Sequence, residues 1–271
     1  MDSVATPAVR YALASSQEDP RSSAVEPDMP LWRYVDLAKL ISLLDTRALF
    51  FTRADLLGDP FEGSITAHRL ALRRESESRQ RSRGLPVKLT SHSQAIVQTD
   101  IANTVINCWH MNEHESAAMW RLYLSSHEGV AIRSSYARLL SSFPRMRGAQ
   151  RITPDGWNHA LYVRVATVKY IDFDTERTGF ADPFEFKRTS FAHERELRLI
   201  VRDNSKQGDP RPSRFPAGGD YVPVSLNKLV QAIYVAPNAP KWFTSVIRSL
   251  VARYGYRFPV SQSALVKSPL H

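Results

Sequence analysis

The second half of the chain contains more strand-forming segments than helices that could connect parallel strands. The clearest is the segment 194–202, in which polar and apolar residues alternate, as in a strand with one face against a core. Further β-prone segments lie at 161–172, 221–224, 232–236 and 257–260, and one helical segment, 241–254, separates the last two. Parallel strands need a crossover connection, usually a helix. The pattern therefore predicts an α+β domain whose mixed or antiparallel sheet, split or continuous, is flanked by helices.

The first half of the chain alternates short strands with helices. Asp36 is placed to cap a helix whose apolar face is formed by Leu37, Leu40, Ile41 and Leu44, because these residues follow helical spacing. The other predicted strands are 31–35, 47–53, 104–109 and 129–133, and the other predicted helices are a basic one after residue 64, 93–103, 115–125 and 135–143.

Composition changes only at the two ends of the chain. Residues 1–28 are rich in Ser, Ala, Pro and acidic residues without a sustained period, which is typical of a disordered tail. Residues 262–271 have the same character, and no repeat or long linker divides the part between. We therefore predict one domain over residues 29–261.

The sequence also predicts the cellular compartment of the protein. No apolar run approaches the roughly 20 residues that cross a bilayer, and the N-terminus shows no basic start followed by an apolar core. The single cysteine, Cys108, cannot form an internal disulfide and suits a reducing compartment. We expect a cytoplasmic protein with no membrane partner.

The chain is basic, with 36 Lys and Arg against 27 Asp and Glu and a net charge of +9. Part of the excess lies in residues 69–88, which carry seven basic and two acidic residues. One interpretation is a solvated helix face. The other is an anion-binding surface for nucleic acid, formed by Arg73, Arg74, Arg79 and Arg81.

An acidic pair lies at the start of the most regular predicted strand. Because alternate side chains of a strand share a face, Glu194, Glu196 and Arg198 are predicted to line up, with the carboxylates roughly 7 Å apart. Such a pair can accept a proton or stabilise a developing cation. The alternatives are a solvent-exposed polar face and, with Asp59, a metal-dependent nuclease site.

Two further segments contain residues that could take part in binding or catalysis. In 107–115, Cys108, His110 and His114 could bind a metal, but their spacing matches no standard zinc pattern, so we expect no metal. Trp109 and His110 are better placed to form a pocket wall, and Cys108 to lie in the core. Residues 59–62 are predicted to form a turn, and either of its acidic residues, Asp59 or Glu62, could point into a site.

These motifs, taken in order over residues 30–260, resemble a bacterial family known only as a domain of unknown function, number twenty-nine seventy-one. The motifs are Leu31-Trp32-Arg33-Tyr34, Asp59-Pro60-Phe61-Glu62, Asn107-Cys108-Trp109 through Met119-Trp120, Gly129-Val130-Ala131-Ile132 and Glu194-x-Glu196-x-Arg198. That family implies no established activity.

The chain is more distantly similar to ADP-ribosyltransferases, which bind NAD in a split-sheet α+β fold. One branch of these enzymes uses an arginine on the first strand, a serine-bearing strand and a Glu-x-Glu motif. Arg33, Ser134-Ser135 and Glu194-Arg195-Glu196 occur here in that order.

The second resemblance implies a set of roles. Arg33 would hold the NAD phosphates, a bidentate task that suits arginine, with Ser134 and Arg198 in the same nucleotide site. Glu196 would bond the ribose and stabilise its positive charge, assisted by Glu194, and Trp109 or Tyr34 would stack on nicotinamide. Small transferases of this kind include toxins and phage-defence effectors. The rival hypothesis is a nucleic-acid-binding module without catalysis, which uses the basic segment 69–88.

Overall fold

The computed structural model describes residues 10–13, 25–84, 94–124, 128–144, 160–179, 181–203 and 215–266. The chain divides into two compact units that are interleaved in sequence. The first unit comprises Met1–Leu49, Asn112–Arg164 and Tyr221–His271, and the second comprises Phe50–Met111 and Val165–Asp220.

Strands and helices are both abundant in the described ranges. The strands are β1 Arg10–Leu13, β2 Pro30–Asp36, β3 Ala48–Arg53, β4 Thr104–Met111, β5 Gly129–Ser135, β6 Ala160–Thr167, β7 Lys169–Ile171, β8 Phe186–Arg188, β9 Glu196–Arg202, β10 Gly219–Pro223, β11 Ala232–Val235 and β12 Val260–Gln262. The helices are α1 Leu37–Thr46, α2 Ala67–Ser82, α3 Gln94–Ala102, α4 Ala117–Tyr123, α5 Tyr136–Ser142, α6 Leu226–Leu229 and α7 Lys241–Arg253.

The strands of the first unit pair in both directions. β2 and β5 are antiparallel, with Arg33 opposite Ile132, and β5 is antiparallel to β11. β11 and β12 are parallel. The predicted α+β class with a mixed sheet is therefore confirmed. β1 pairs in parallel with β6, and this strand lies inside the segment 1–28 that was predicted as a tail.

Helix α1 shows how local sequence sets the ends of an element. The side chain of Asp36 accepts a hydrogen bond from the backbone N–H of Lys39 at 2.8 Å, which satisfies one of the free N–H groups of the first turn. The helix ends where Arg47 adopts a left-handed conformation, with φ of 53°. Leu40 and Leu44 of the predicted apolar face are buried, together with Leu43. Ile41 is exposed and Leu37 is half-buried, so the prediction is wrong for Ile41.

The second unit is organised around the antiparallel pair β4 and β9. In their register, Cys108 lies opposite Arg198 and His110 opposite Glu196, and β3 pairs with β4 on its other side. β7 and β8 form a separate parallel pair. A core of apolar side chains packs between these elements: Ala54, Ile106, Ala166, Phe184 and Ile200.

The predicted strand 194–202 begins two residues later than expected. Residues Thr189–Glu194 form a 3-10 helix, which ends where Arg195 adopts a left-handed conformation with φ of 42°. Glu194 therefore lies before β9 and not on it. The predicted strand position of Glu194 is wrong, because the left-handed Arg195 interrupts the period of the strand.

A glycine positions the turn that leads into α2. Gly63 has φ of 71°, and a Cβ atom at this position would lie 2.7 Å from the ring of Phe184. The turn can therefore pack closely on the core only because residue 63 has no side chain. The preceding residue, Glu62, is buried as a result.

Candidate functional site

Five charged side chains meet in the interior of the second unit and are called here the charged cluster. Glu62 comes from the turn before α2, and Lys187 comes from the short strand β8. Glu194 ends the 3-10 helix, and Glu196 and Arg198 are the first and third residues of β9. All five are buried, so the interpretation of Glu196 and Arg198 as a solvent-exposed polar face is wrong.

Arg198 lies at the buried end of the charged cluster. Its two terminal nitrogens each donate to one carboxylate oxygen of Glu62 at 2.7 Å, and its Nε donates to Glu196 Oε2 at 2.7 Å. Nη1 also donates to the carbonyl of Phe184 at 3.0 Å. This is the fork geometry in which a guanidinium binds a carboxylate most strongly, and it holds Glu62 and Glu196 in place.

Lys187 and Glu194 lie at the outer end of the charged cluster. Lys187 Nζ donates to Glu196 Oε1 at 2.6 Å and also to Glu194 Oε2. The ring of Phe191 lies 4.5 Å from Nζ. The side chains of Lys187 and Glu194 are each 10% exposed, against 1% for Arg198. These two side chains are therefore the most exposed members of the charged cluster.

The charges of the cluster do not balance. Three carboxylates face two cations, so the fully ionised cluster would carry a net charge of −1 in a buried site. Burial of an uncompensated charge is costly, and such groups shift their pKa and take up a proton. One of the three carboxylates is therefore expected to take up a proton.

The pKa values of the two carboxylates that bind Lys187 shift in opposite directions. Burial and the hydrogen bond to Glu196 raise the pKa of Glu194 to about 7. Burial alone would raise the pKa of Glu196, but the charge of Arg198, the hydrogen bond with Glu194 and the charge of Lys187 together lower it well below its usual range. Burial would lower the pKa of Lys187, but Glu196 and Glu194 raise it. The environment therefore favours the proton on Glu194 and the ionised form of Glu196.

Backbone contacts fix the segment that carries both glutamates. The backbone N–H of Glu196 donates to the hydroxyl of Tyr170 at 2.8 Å. Nδ1 of His110 lies 2.6 Å from the carbonyl oxygen of Glu194, and Met111 N donates to the carbonyl of Arg195 at 2.9 Å. The glutamates are thus held from both sides.

A cavity of about 380 Å³ adjoins the charged cluster through Glu62. Its lining is formed by the residues before α2 and by the end of α3: Ala54, Asp55, Leu57, Asp59, Pro60, Glu62, Gln98, Ile101 and Ala102. Both acidic residues of the predicted 59–62 turn therefore line a cavity.

The predicted site residues are divided between the two units. The second unit brings together Glu194, Glu196 and Arg198. Trp109 belongs to the same unit but is buried, and its indole N–H donates to Asn107 Oδ1 at 2.9 Å. As placed, its ring has no face open to a ligand.

The remaining nucleotide-site candidates lie in the first unit. Arg33 is on β2 and half-buried. The hydroxyl of Tyr34 accepts a hydrogen bond from Ser116 N at 2.7 Å, and burial raises the pKa of this tyrosine to about 12. Ser134 is wholly buried and donates to the carbonyl of Leu229 at 2.6 Å.

The four predicted nucleic-acid-binding arginines all lie on α2, in two kinds of environment. Arg73 pairs with Glu77 at 2.6 Å, and Arg79 pairs with Glu75. Arg74 and Arg81 are exposed and form no ion pair within the described ranges. They are seven residues apart and therefore share a face of the helix.

Lys187 was not singled out from the sequence, although it joins the two glutamates. It lies in a three-residue strand and is followed by another basic residue, Arg188. No local pattern distinguishes the buried cation of such a pair from the exposed one. The only signal was the acidic pair itself, which required a counter-charge.

Metal and thiol chemistry were two alternatives for residues 107–115. No group of three or more His, Cys, Asp or Glu residues among the described residues could hold a metal ion. Burial raises the pKa of the Cys108 thiol, which opposes formation of the nucleophilic thiolate. Within the described ranges, no helix is both long and apolar enough to span a bilayer.

No protein-family model and no curated protein matches this chain. Among solved structures, it is similar to Thermus sp. 2.9 DarT in complex with NAD+, at 11% sequence identity and a TM-score of 0.37, over 91% of this chain and 100% of that chain. The same DarT with carba-NAD+ gives 9% identity and a TM-score of 0.35, over 89% of this chain and 97% of that one. The same DarT in complex with ADP-ribosylated ssDNA gives 10% identity and a TM-score of 0.35, over 89% of this chain and 97% of that one.

TM-scores this low do not establish a shared fold, so these similarities carry no argument about chemistry. Membership of the bacterial family of unknown function, and the assignment of roles by resemblance to ADP-ribosyltransferases, remain predictions.

Proposed function

We propose that this protein is an ADP-ribosyltransferase-like enzyme that takes NAD as its substrate. The observation that carries the proposal is the buried pair Glu194 and Glu196, which both bind Lys187 and whose pKa values shift in opposite directions. Two carboxylates whose environments separate their pKa values are the usual sign of an acid–base pair.

The two glutamates would have different roles in the transfer reaction. When the bond between ribose C1′ and the nicotinamide nitrogen breaks, its electron pair leaves with nicotinamide and positive charge develops on the ribose. Glu196, which stays ionised, supplies the negative charge that stabilises this state. As an acceptor bonds to C1′, Glu194 takes the acceptor's proton, a role that a carboxylate with a pKa near 7 can fill at neutral pH.

The first experiment measures nicotinamide release and transfer of radiolabelled ADP-ribose by the wild type, Glu194→Gln and Glu196→Gln. Glu176→Gln, at an exposed position of the second unit, is the matched control. We expect loss of at least a hundredfold for Glu196→Gln, because removal of a general acid–base or charge-stabilising group costs at least about this factor. Absence of both transfer and NAD hydrolysis in the wild type, across candidate acceptors, would refute the proposal.

The pH dependence assigns the role of Glu194. Transfer by the wild type should rise with pH and level off above about 7, because only ionised Glu194 can accept a proton. Glu194→Gln should be slow and should show no such rise. An unchanged pH profile in this variant would remove Glu194 from the reaction.

Calorimetry tests the proposed role of Arg33 in NAD binding. We expect wild type to bind NAD, Arg33→Ala to lose at least tenfold in affinity, and Arg253→Ala, an exposed arginine of the first unit, to bind normally. Equal affinity in Arg33→Ala would show that β2 does not hold the NAD phosphates.

A second candidate function is nucleic-acid binding by α2, favoured by the shared face of Arg74 and Arg81. Binding to phosphates should weaken steeply as salt rises. Replacing Arg74 and Arg81 with glutamine should lower affinity more than replacing the ion-paired Arg73 and Arg79, as measured by fluorescence anisotropy with single-stranded DNA. Equal effects, or none, would exclude this surface.

A further inference from the structure

One arginine of the second unit lies outside the charged cluster and is held between two aromatic rings. Arg188 follows Lys187 at the end of β8. Its guanidinium lies over the ring of Phe61, at 4.8 Å from the centroid, and over the ring of Phe191, at 5.4 Å. Stacking on a ring attracts a guanidinium without using its N–H groups. The two rings therefore restrict the orientation of Arg188 and leave its donors for other groups.

A buried carboxylate holds the same guanidinium. Nη2 of Arg188 pairs with Asp59 Oδ1 at 2.8 Å, and the side chain of Asp59 is 1% exposed, whereas that of Arg188 is 39% exposed. Asp59 Oδ1 also accepts from the backbone N–H of Phe61 at 3.1 Å, which ties the carboxylate to its turn. The ion pair therefore anchors a partly exposed arginine on a buried, fixed acid.

One end of this guanidinium remains accessible. Nε of Arg188 is buried, whereas Nη1 is not, and Nη1 has no hydrogen-bond partner among the described residues. A guanidinium carries donors on all three nitrogens and no acceptor, so Nη1 can donate to an anion. Because the orientation of the group is already fixed, less entropy is lost on binding, and the planar fork suits the oxygens of a phosphate.

Arg188 lies next to the charged cluster. The ring of Phe191 contacts both Arg188 and Nζ of Lys187, which lies 4.5 Å from its centroid. Lys187 in turn binds Glu194 and Glu196. One aromatic ring therefore separates the accessible guanidinium from the cation that joins the two glutamates. In NAD the diphosphate is joined to the ribose that reacts, so a group that holds the diphosphate must lie near the carboxylates that act on C1′.

We propose that Arg188 binds the diphosphate of NAD, with Nη1 donating to a phosphate oxygen while Asp59 and the two rings hold the guanidinium. This inference rests on the function proposed above and adds a specificity-determining residue to it, with Asp59 as a positioning residue. The resemblance to ADP-ribosyltransferases assigns the phosphates to Arg33, which belongs to the first unit, whereas Arg188 belongs to the same unit as the two glutamates.

Calorimetry with NAD on the full chain tests this role. Arg188→Gln should lower the affinity for NAD at least tenfold, because it removes a charge-assisted hydrogen bond to a phosphate. Arg188→Met, which keeps an apolar stem, replaces it if the glutamine variant does not fold. Arg202→Gln is the matched control and should bind NAD as the wild type does. Arg202 lies in the same unit, pairs with Asp182 at 2.8 Å and lies over the ring of Phe184 at 4.9 Å.

Two further measurements separate phosphate recognition from a structural effect. The wild type should shift the phosphorus NMR resonances of bound NAD, and Arg188→Gln, saturated with NAD, should shift them less. Asp59→Asn should lower the affinity for NAD by a smaller factor than Arg188→Gln does. The double variant should bind no more weakly than Arg188→Gln alone, because Asp59 acts only through Arg188.

The proposal would be overturned by the absence of NAD binding in the wild type, by wild-type affinity in a folded Arg188 variant, or by an equal loss in Arg202→Gln. The transfer assay decides the proposed function separately. Transfer by the wild type together with unchanged NAD affinity in Arg188→Gln would refute only the role of Arg188. NAD binding that depends on Arg188, without transfer or nicotinamide release, would refute only the enzymatic function.

Discussion

The charged cluster and helix α2 are built from the same residue types but differ in burial. In the charged cluster, Arg198 binds Glu62 and Glu196, and its side chain is 1% exposed. On α2, Arg79 binds Glu75 with 67% and 57% of the two side chains exposed. An exposed pair contributes roughly 0 to 1 kcal/mol, because water competes for both charges.

Burial changes what each pair can do. A buried carboxylate without full compensation shifts its pKa, as Glu194 does, whereas exposed charges exchange partners with water and counter-ions. The charged cluster is therefore suited to proton transfer and α2 to diffuse attraction of anions. The location of a charge, more than its type, therefore decides what the charge can do.

The largest expected effect comes from removing the cation at the buried end. Arg198→Met leaves Glu62 and Glu196 buried without their main partner, and we expect a loss of about 3 to 5 kcal/mol in the free energy of unfolding. Urea denaturation measures this loss. Arg79→Met on α2 is the control and should change stability by less than about 1 kcal/mol. Similar losses in both variants would contradict the assignment of Arg198 to a buried network.

A smaller effect should appear in the pH dependence of stability. The pKa of Glu194 is about 7 in the folded chain and near its ordinary value when unfolded, so the folded state binds more protons between pH 4.5 and 7. Stability from this group is therefore present below pH 4.5 and is lost as pH rises towards 7, by about 2 to 3 kcal/mol. Glu196, whose pKa is lowered, loses its contribution only below pH 4.5.

Denaturation of the wild type and Glu194→Gln at several pH values isolates this effect. Glutamine resembles the protonated carboxyl and cannot ionise, so the variant should gain stability relative to wild type as pH rises from 5 to 7. A constant difference across this range would mean that Glu194 titrates normally.

Much of the secondary structure was predictable because local pattern and tertiary environment agree. β4, β9 and β11 are dense in β-branched and apolar residues, and α7 begins directly after Pro240 as expected. β1 was missed because four residues in a Ser- and Ala-rich segment carry no period. The predicted strand 161–172 is instead two elements, β6 and β7.

The candidate site was predictable only in part. Spacing on a strand placed Glu196 next to Arg198, and the structure confirms that contact. The partners from elsewhere, Lys187 and Glu62, could not be assigned, because irregular segments bring them to β9. Burial of Arg198 was also unpredictable, since a charged side chain normally indicates a solvent-exposed face.

The smallest expected effect separates the two ion pairs of α2. Arg73 and Glu77 are 20% and 19% exposed, against 67% and 57% for Arg79 and Glu75. Pairs four residues apart on a helix contribute about 0.3 to 0.5 kcal/mol when exposed, and a less solvated pair is screened less by salt. Glu77→Gln should therefore lower the free energy of unfolding more than Glu75→Gln does. In 1 M salt, the loss caused by Glu75→Gln should shrink by a larger fraction than the loss caused by Glu77→Gln. The reverse order, measured by thermal unfolding at two salt concentrations, would show that exposure does not rank these interactions.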